Sequence, residues 1–210
     1  MMEVVTLFPT TIYKNNIIND FTEDCIDNLR GQEYVRTTAD NGWITKKHDF
    51  HNDDKYADLF GAIDFHVNYF AKQILKIKDD IDLVCMSSWV TMNSGSDYAQ
   101  DHIHASSMIS GVLYLDAPLG SAPINFHGDL YKKNTFGTFL PIEYSEQNQF
   151  NSNNYRVDVE SGIIVLFPSN LRHSVRPNSD SSIKRYAMSF DYIPVGVLNA
   201  GSSKITLNVL

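Results

Sequence analysis

Apolar residues recur at helical spacing in one long stretch of the chain and at strand spacing through most of the residues beyond it. From Asp54 to Leu75, the side chains of Leu59, Phe60, Ile63, Val67, Phe70, Ala71 and Ile74 fall on one face. Their period of about 3.6 residues predicts an amphipathic helix. A shorter helix is predicted by Phe21, Cys25, Ile26 and Leu29, with Asp20 as its cap. Ahead of it, Val4 to Tyr13 reads as an extended segment interrupted by Pro9. After Asp79-Asp80 the pattern changes. Leu83–Met92, Met108–Leu115, Pro123–His127, Tyr155–Val159, Ile163–Phe167, Arg185–Ile193 and Lys204–Val209 are short and rich in Val, Ile, Phe and Tyr. Gly, Asn, Asp, Ser and Pro separate them, which predicts strands joined by turns. The polar stretch Gln147 to Asn154 is expected to be a loop, one that could cover a site.

A helical first third followed by strands alone points to an antiparallel β-sandwich or jelly roll, braced by helices on one outer face. No repeat, low-complexity tract or Pro/Gly-rich linker divides the chain, so residues 1–210 read as a single domain. Its parts are helical support over about 15–80, a β core over about 83–193 and a C-terminal strand extension at 194–210. With 43% hydrophobic residues in 210, a substantial core can be buried. The net charge of -8 argues against a nucleic-acid partner, which requires clustered Lys and Arg. Cys25 and Cys85 are too few and too far apart for a disulfide framework, and they fit a reducing compartment. Met1 to Lys14 lacks the pattern of a secretory signal, and no apolar run is long enough to span a bilayer. The expected location is cytoplasmic.

The chemistry lies in the histidines. In Asp101-His102-Ile103-His104, an extended backbone sends His102 and His104 to the same face. On its own such a pair reads more readily as two surface or half-buried histidines on an edge strand. His48 and His51 read as residues of a solvated loop, and His66 as a packed or rim residue of the long helix. His127 reads either as a cavity residue or as ordinary cross-strand packing. His173 follows the apolar strand Ile163–Phe167 and is followed in turn by Arg185, with Ser189 on the same strand face. A guanidinium and a hydroxyl two pleats apart could clamp the distal end of a dicarboxylate, with Tyr114 as a further donor.

The ordered set resembles the 2-oxoglutarate- and Fe(II)-dependent oxygenases, and within them the small bacterial and phage group close to the prolyl-hydroxylase type. The resemblance runs through Leu7-Phe8-Pro9, Ser88-Trp89-Val90, His102-Ile103-His104 and Ser110-Gly111-Val112-Leu113-Tyr114-Leu115. It continues in Gly162 to Ser169, His173-Ser174-Val175 and Arg185-Tyr186-Ala187-Met188-Ser189-Phe190. It implies a double-stranded β-helix, Fe(II) as metal and 2-oxoglutarate as cosubstrate. It further implies His102 and His173 as iron-binding histidines and Arg185 on the C5 carboxylate of 2-oxoglutarate. Tyr114 and Ser189 would assist, and Asn93 would face the cosubstrate. The implied activity is hydroxylation of a small-molecule or protein substrate coupled to decarboxylation of 2-oxoglutarate, with a homodimer as a further expectation.

One position departs from the family pattern. A facial triad holds two histidines and a carboxylate, and where the family has its Asp or Glu this chain has His104. The favoured reading makes His104 the third ligand, giving a catalytic centre of His102, His104 and His173. The alternatives are a carboxylate from Asp97 or Asp129, with Asp101 disfavoured by strand alternation, or a different metal such as zinc or nickel. Two rival readings of the whole are a non-enzymatic jelly-roll binding protein and a cupin-type metalloenzyme that does not use 2-oxoglutarate.

Overall fold

The computed structural model describes residues 3–6, 9–37, 41–128, 143–198 and 204–208. Among these residues twelve strands form two antiparallel sheets. They are β1 (Tyr13–Asn16), β2 (Tyr34–Arg36), β3 (Trp43–Thr45), β4 (Asp82–Ser94), β5 (Ala99–His102) and β6 (Ile109–Asp116). The rest are β7 (Ile124–His127), β8 (Asn154–Val157), β9 (Ile163–Pro168), β10 (His173–Val175), β11 (Lys184–Leu198) and β12 (Ile205–Leu207). The large sheet runs β1-β9-β6-β11-β4-β3-β2, with β12 pairing β11, and the small sheet runs β5-β10-β7-β8. Helix α1 (Glu23–Arg30) and helix α2 (Ala57–Asn68) brace the large sheet. Among the described residues no helix is long and apolar enough to cross a membrane.

Strand alternation builds two cores from one sheet. On β6, Ile109, Leu113 and Leu115 face the helices, while Val112 and Tyr114 face the small sheet. On β9, Ile164 and Leu166 point outward to the helices, and Ile163, Val165 and Phe167 point inward. Such strands, buried on both faces, read as continuous apolar runs. The outer core closes on Leu59, Ile63, Val67 and Phe70 of the helical layer, the inner one on Ile124, Phe126 and Val157 of the small sheet. On β11 the inward set is different in kind: Arg185, Ala187, Ser189 and Asp191 line a cavity between the sheets. Opposite them in register stand Asn93, Thr91, Trp89 and Ser87 of β4, which line it too.

The elements differ from the sequence reading in several places. The long helix is broken into a 3-10 turn (Asp54–Tyr56), α2 and a π-helical segment (Tyr69–Ile74). The cap of α1 is Thr22, whose hydroxyl accepts from the backbone N–H of Cys25, whereas Asp20 ends a preceding 3-10 turn. The opening extended segment forms a strand from Tyr13 onward, against β9. Strand β5 ends at His102, so His104 lies just beyond it, held by its backbone N–H on the Ser169 carbonyl. The segment from Gln147 to Asn154 folds on itself through Asn148 and Ser152, and none of its residues lines the cavity. Leu7-Phe8, Val209 and Asp129 lie outside the described residues.

Candidate active site

Three histidines meet at one end of a cavity of about 460 Å³. His102 closes β5 and His173 opens β10, and the two are direct partners across the antiparallel ladder. Their ring centroids lie 4.3 Å apart, and His104 lies 5.3 Å from His102 and 5.2 Å from His173. One ligand atom from each lies within 4.8 Å of the others. The Nδ1 atoms all face outward. That of His102 lies 2.7 Å from the Gln100 carbonyl, and that of His173 lies 2.9 Å from the Leu171 carbonyl. A carbonyl oxygen only accepts, so each Nδ1 carries a proton, and in the neutral ring the lone pair then lies on Nε2. Burial pushes the His173 imidazole down to about 3, which keeps it neutral and able to ligate.

His104 is held differently. Its Nδ1 lies 2.7 Å from Oδ1 of Asp191. The same oxygen accepts from Ser110 Oγ at 2.5 Å and Ser107 Oγ at 3.1 Å, and Ser169 Oγ lies 2.8 Å from Ser110 Oγ. Burial alone would raise the Asp191 carboxyl, but the His104 bond and charge together with the two hydroxyls outweigh it. They hold it below the ordinary carboxylate range. Trp89 stacks on the His104 ring at 5.9 Å. Asp191 escaped the sequence reading, although strand parity offered the signal: it stands two residues beyond Ser189 on the same face of β11.

At the other end of the cavity lies Arg185, 3% exposed. One terminal nitrogen donates to the Ala122 carbonyl at 2.8 Å and the other to Oδ1 of Asn93 at 2.9 Å. Its Nε has no partner, and among the described residues no carboxylate pairs with it. Burial lowers the guanidinium below its ordinary value, and proximity to Tyr114, whose ring centroid is 5.6 Å away, partly opposes this. Burial pushes the Tyr114 phenol up to about 12 against the Arg185 charge, so its hydroxyl keeps its proton. Ser189 lies between the guanidinium and Asp191 on the β11 face. Asn93 lines the cavity and spends its side-chain oxygen on orienting Arg185.

The remaining sequence candidates lie elsewhere or play other parts. Asp97 is taken up by Arg36 at 3.1 Å and by the Ser94 N–H, and Asp101 pairs with Arg172. Neither lines the cavity. His66 bonds Tyr13, His127 bridges Asn154 and Ser174, and His51 bonds Ser88. His48 is exposed yet lines the cavity, its ring 6.0 Å from Trp89.

The donor set suits a first-row metal: three imidazoles, each with its outward nitrogen committed, turn their lone pairs toward one another. The orphaned Nε of Arg185 suits an anion, because a buried guanidinium without an anionic partner has lost its solvation with nothing in exchange. Both groups open on one cavity of a size that takes a small molecule.

Comparison with known proteins points the same way. The chain is similar in fold to an oxidoreductase of the 2OG-Fe(II) oxygenase family from Burkholderia pseudomallei, at 11% identity over 87% of this chain and 85% of that one, with a TM-score of 0.60. A prolyl-4-hydroxylase from Pseudomonas putida matches at 13% identity over 88% and 92%, with a TM-score of 0.55. HygX from Streptomyces hygroscopicus, solved with nickel and 2-oxoglutarate bound, matches at 11% identity over 88% and 83%, again with a TM-score of 0.55. At such identities the likeness is one of fold, the jelly roll. No curated protein matches the chain in sequence. The family model described as "Putative 2OG-Fe(II) oxygenase" matches residues 87–191. That stretch starts at Ser87 and ends at Asp191, two inward-facing neighbours on paired strands, and takes in both ends of the cavity between them; on this match the chain belongs to the 2-oxoglutarate- and Fe(II)-dependent oxygenases.

Proposed function

We propose that His102, His104 and His173 hold Fe(II), that Arg185, Tyr114 and Ser189 hold the C5 carboxylate of 2-oxoglutarate, and that the enzyme hydroxylates a small-molecule or protein substrate. Bound together, the metal and cosubstrate supply an oxygen-dependent oxidation of a C–H bond, driven by loss of carbon dioxide from 2-oxoglutarate. The observation that carries the reading is Arg185: a buried guanidinium at the far end of the histidine cavity, bonded only to neutral oxygens. A cupin-type centre or a carbohydrate-binding jelly roll has no use for it.

The chain's own residues contribute orientation, charge and dryness. Asn93 and the Ala122 carbonyl fix the guanidinium plane and leave its Nε without a partner. Tyr114, protonated by virtue of its burial, and Ser189 line the same cavity. The Gln100 and Leu171 carbonyls hold two imidazoles in the tautomer that ligates. Phe167, packed 4.7 Å from His173, and the inner core behind it shield that imidazole from water. The two reduced thiols Cys25 and Cys85 fit the cytoplasm as the site of action.

Anaerobic titration with Fe(II), with and without 2-oxoglutarate, tests this directly. A visible charge-transfer band should develop only when both are present. Iron uptake with no spectral response to 2-oxoglutarate would overturn the cosubstrate assignment.

A further inference from the structure

We propose that Asp191 is a positioning residue that supplies the metal centre with its negative charge, acting through His104 instead of ligating. The inference rests on the three histidines being the metal ligands. In a facial triad a carboxylate brings an anionic donor into direct contact with the metal. Here the cluster of possible ligands takes in no carboxylate among the described residues, and each of its three members offers an imidazole nitrogen. The anion stands one imidazole further out, Asp191 Oδ1 at 2.7 Å from His104 Nδ1.

Two features separate this contact from an incidental one. First, it singles out His104: the outward nitrogens of His102 and His173 end on backbone carbonyls, and only the residue that replaces the usual carboxylate ligand ends on a carboxylate. Second, Asp191 is itself built into place. Ser107, Ser110 and Ser169 come from three separate segments: the loop before β6, β6 itself and the turn after β9. Ser110 and Ser169 are fully buried, and the three hydroxyls form one network with Oδ1 of Asp191. Buried serines add nothing to apolar packing. What they do here is surround one oxygen with donors, so that it accepts from an imidazole N–H and two hydroxyls at once. An oxygen that accepts three such bonds carries no proton of its own, and donors gathered in this way favour the carboxylate over the neutral acid.

An imidazole that donates Nδ1–H to a carboxylate is fixed in ring orientation and is a stronger donor at its other nitrogen. The centre thereby keeps the formal charge of an ordinary two-histidine, one-carboxylate site while presenting three nitrogens to the metal. The exchange of a carboxylate for His104 is offset by a carboxylate directly behind it.

The test is a double-mutant cycle read by calorimetric titration with Ni(II), a probe that needs no turnover. Parent, Asp191→Asn, His104→Asp and the double variant are compared after thermal melting confirms each fold. In the parent background Asp191→Asn should weaken Ni(II) by about tenfold or more. In the His104→Asp background, where a carboxylate already ligates and Asp191 merely repels it, the same change should cost nothing or tighten binding. An equal loss in both backgrounds would mean that Asp191 acts only as structure, and would overturn the proposal. The Fe(III)/Fe(II) potential should move to more positive values in Asp191→Asn, and an unchanged potential also counts against it. Should Asp191→Asn fail to fold, Ser110→Ala decides: with the carboxylate kept but one donor removed, Ni(II) should weaken by less than tenfold, and unchanged binding overturns the proposal. A parent that takes up no Ni(II) overturns the ligand reading itself, whereas a parent that binds alongside an unchanged Asp191→Asn overturns the proposal alone.

Discussion

Arg185 carries its positive charge into a place where water does not follow, and the protein gives it only the neutral oxygens of Ala122 and Asn93 in return. That arrangement is costly alone and becomes favourable when an anion completes it. Arg185→Ala is therefore expected to weaken 2-oxoglutarate by about 2–5 kcal/mol, the loss usual when one partner of a buried charge pair is truncated. Arg185→Lys keeps the charge but loses the planar fork, and with it the bonds to Ala122 and Asn93 in their present geometry, so it should fall between alanine and the parent. Ser189→Ala removes one hydrogen bond, about 0.5–1.5 kcal/mol. Metal affinity should be unchanged in all three, since none of these side chains belongs to the histidine cluster. Titration of 2-oxoglutarate into the Ni(II)-loaded variants checks the order, and an Arg185→Ala variant that binds like the parent would contradict it.

At the scale of elements, alternation along a strand decides what is core and what is site. Gly111 shows how little room the pattern leaves. A Cβ there would lie 2.1 Å from the Phe190 ring and 2.7 Å from Leu166, both on the helix-facing side of the large sheet. Gly111→Ala should destabilise by about 1–3 kcal/mol through overpacking, visible as a lower denaturation midpoint at unchanged slope. The cavity-facing residues should keep their places, so 2-oxoglutarate affinity should change little. The same alternation explains what could be read in advance. The long helix and the strands from Leu83 onward announce themselves because each repeats its period over several residues. β2, β3 and β10 do not, being three residues long and defined by the strands they pair with more than by their own pattern. His102 and His104 were legible as a pair because they are neighbours in sequence. That His173 meets them is a matter of register between β5 and β10, which no local pattern encodes. Asp191 was hidden for another reason: an aspartate in a strand reads as a solvated residue unless the parity from Arg185 is followed to its end.

For the whole molecule, the two sheets touch through the inner core and through the histidine centre. His102 and His173 belong to the small sheet, while His104 is tied by Asp191 to the middle of the large one. On the proposed ligand set, a metal at the three nitrogens would close a loop between two layers that are otherwise joined there by side-chain packing. Binding of this kind stabilises the folded state by mass action, about 2.7 kcal/mol when free metal exceeds its dissociation constant a hundredfold. The gain need not be spread evenly. β6 and β9 are buried on both faces and lean on the helical layer, so they should exchange their amide hydrogens at the slowest rates with or without metal. β5 is an edge strand of the four-stranded sheet, and β10 lies next to it. Removing the metal with a chelator is expected to speed hydrogen exchange most at β5 and β10, and in β6 and β9 only as far as global stability falls, a contrast that mass spectrometry of the exchanged protein can read. The metal would then be a clasp as well as a reagent. With it in place the small sheet is a fixed wall of the cavity, and without it the same sheet is a leaf free to lift at its β5 edge.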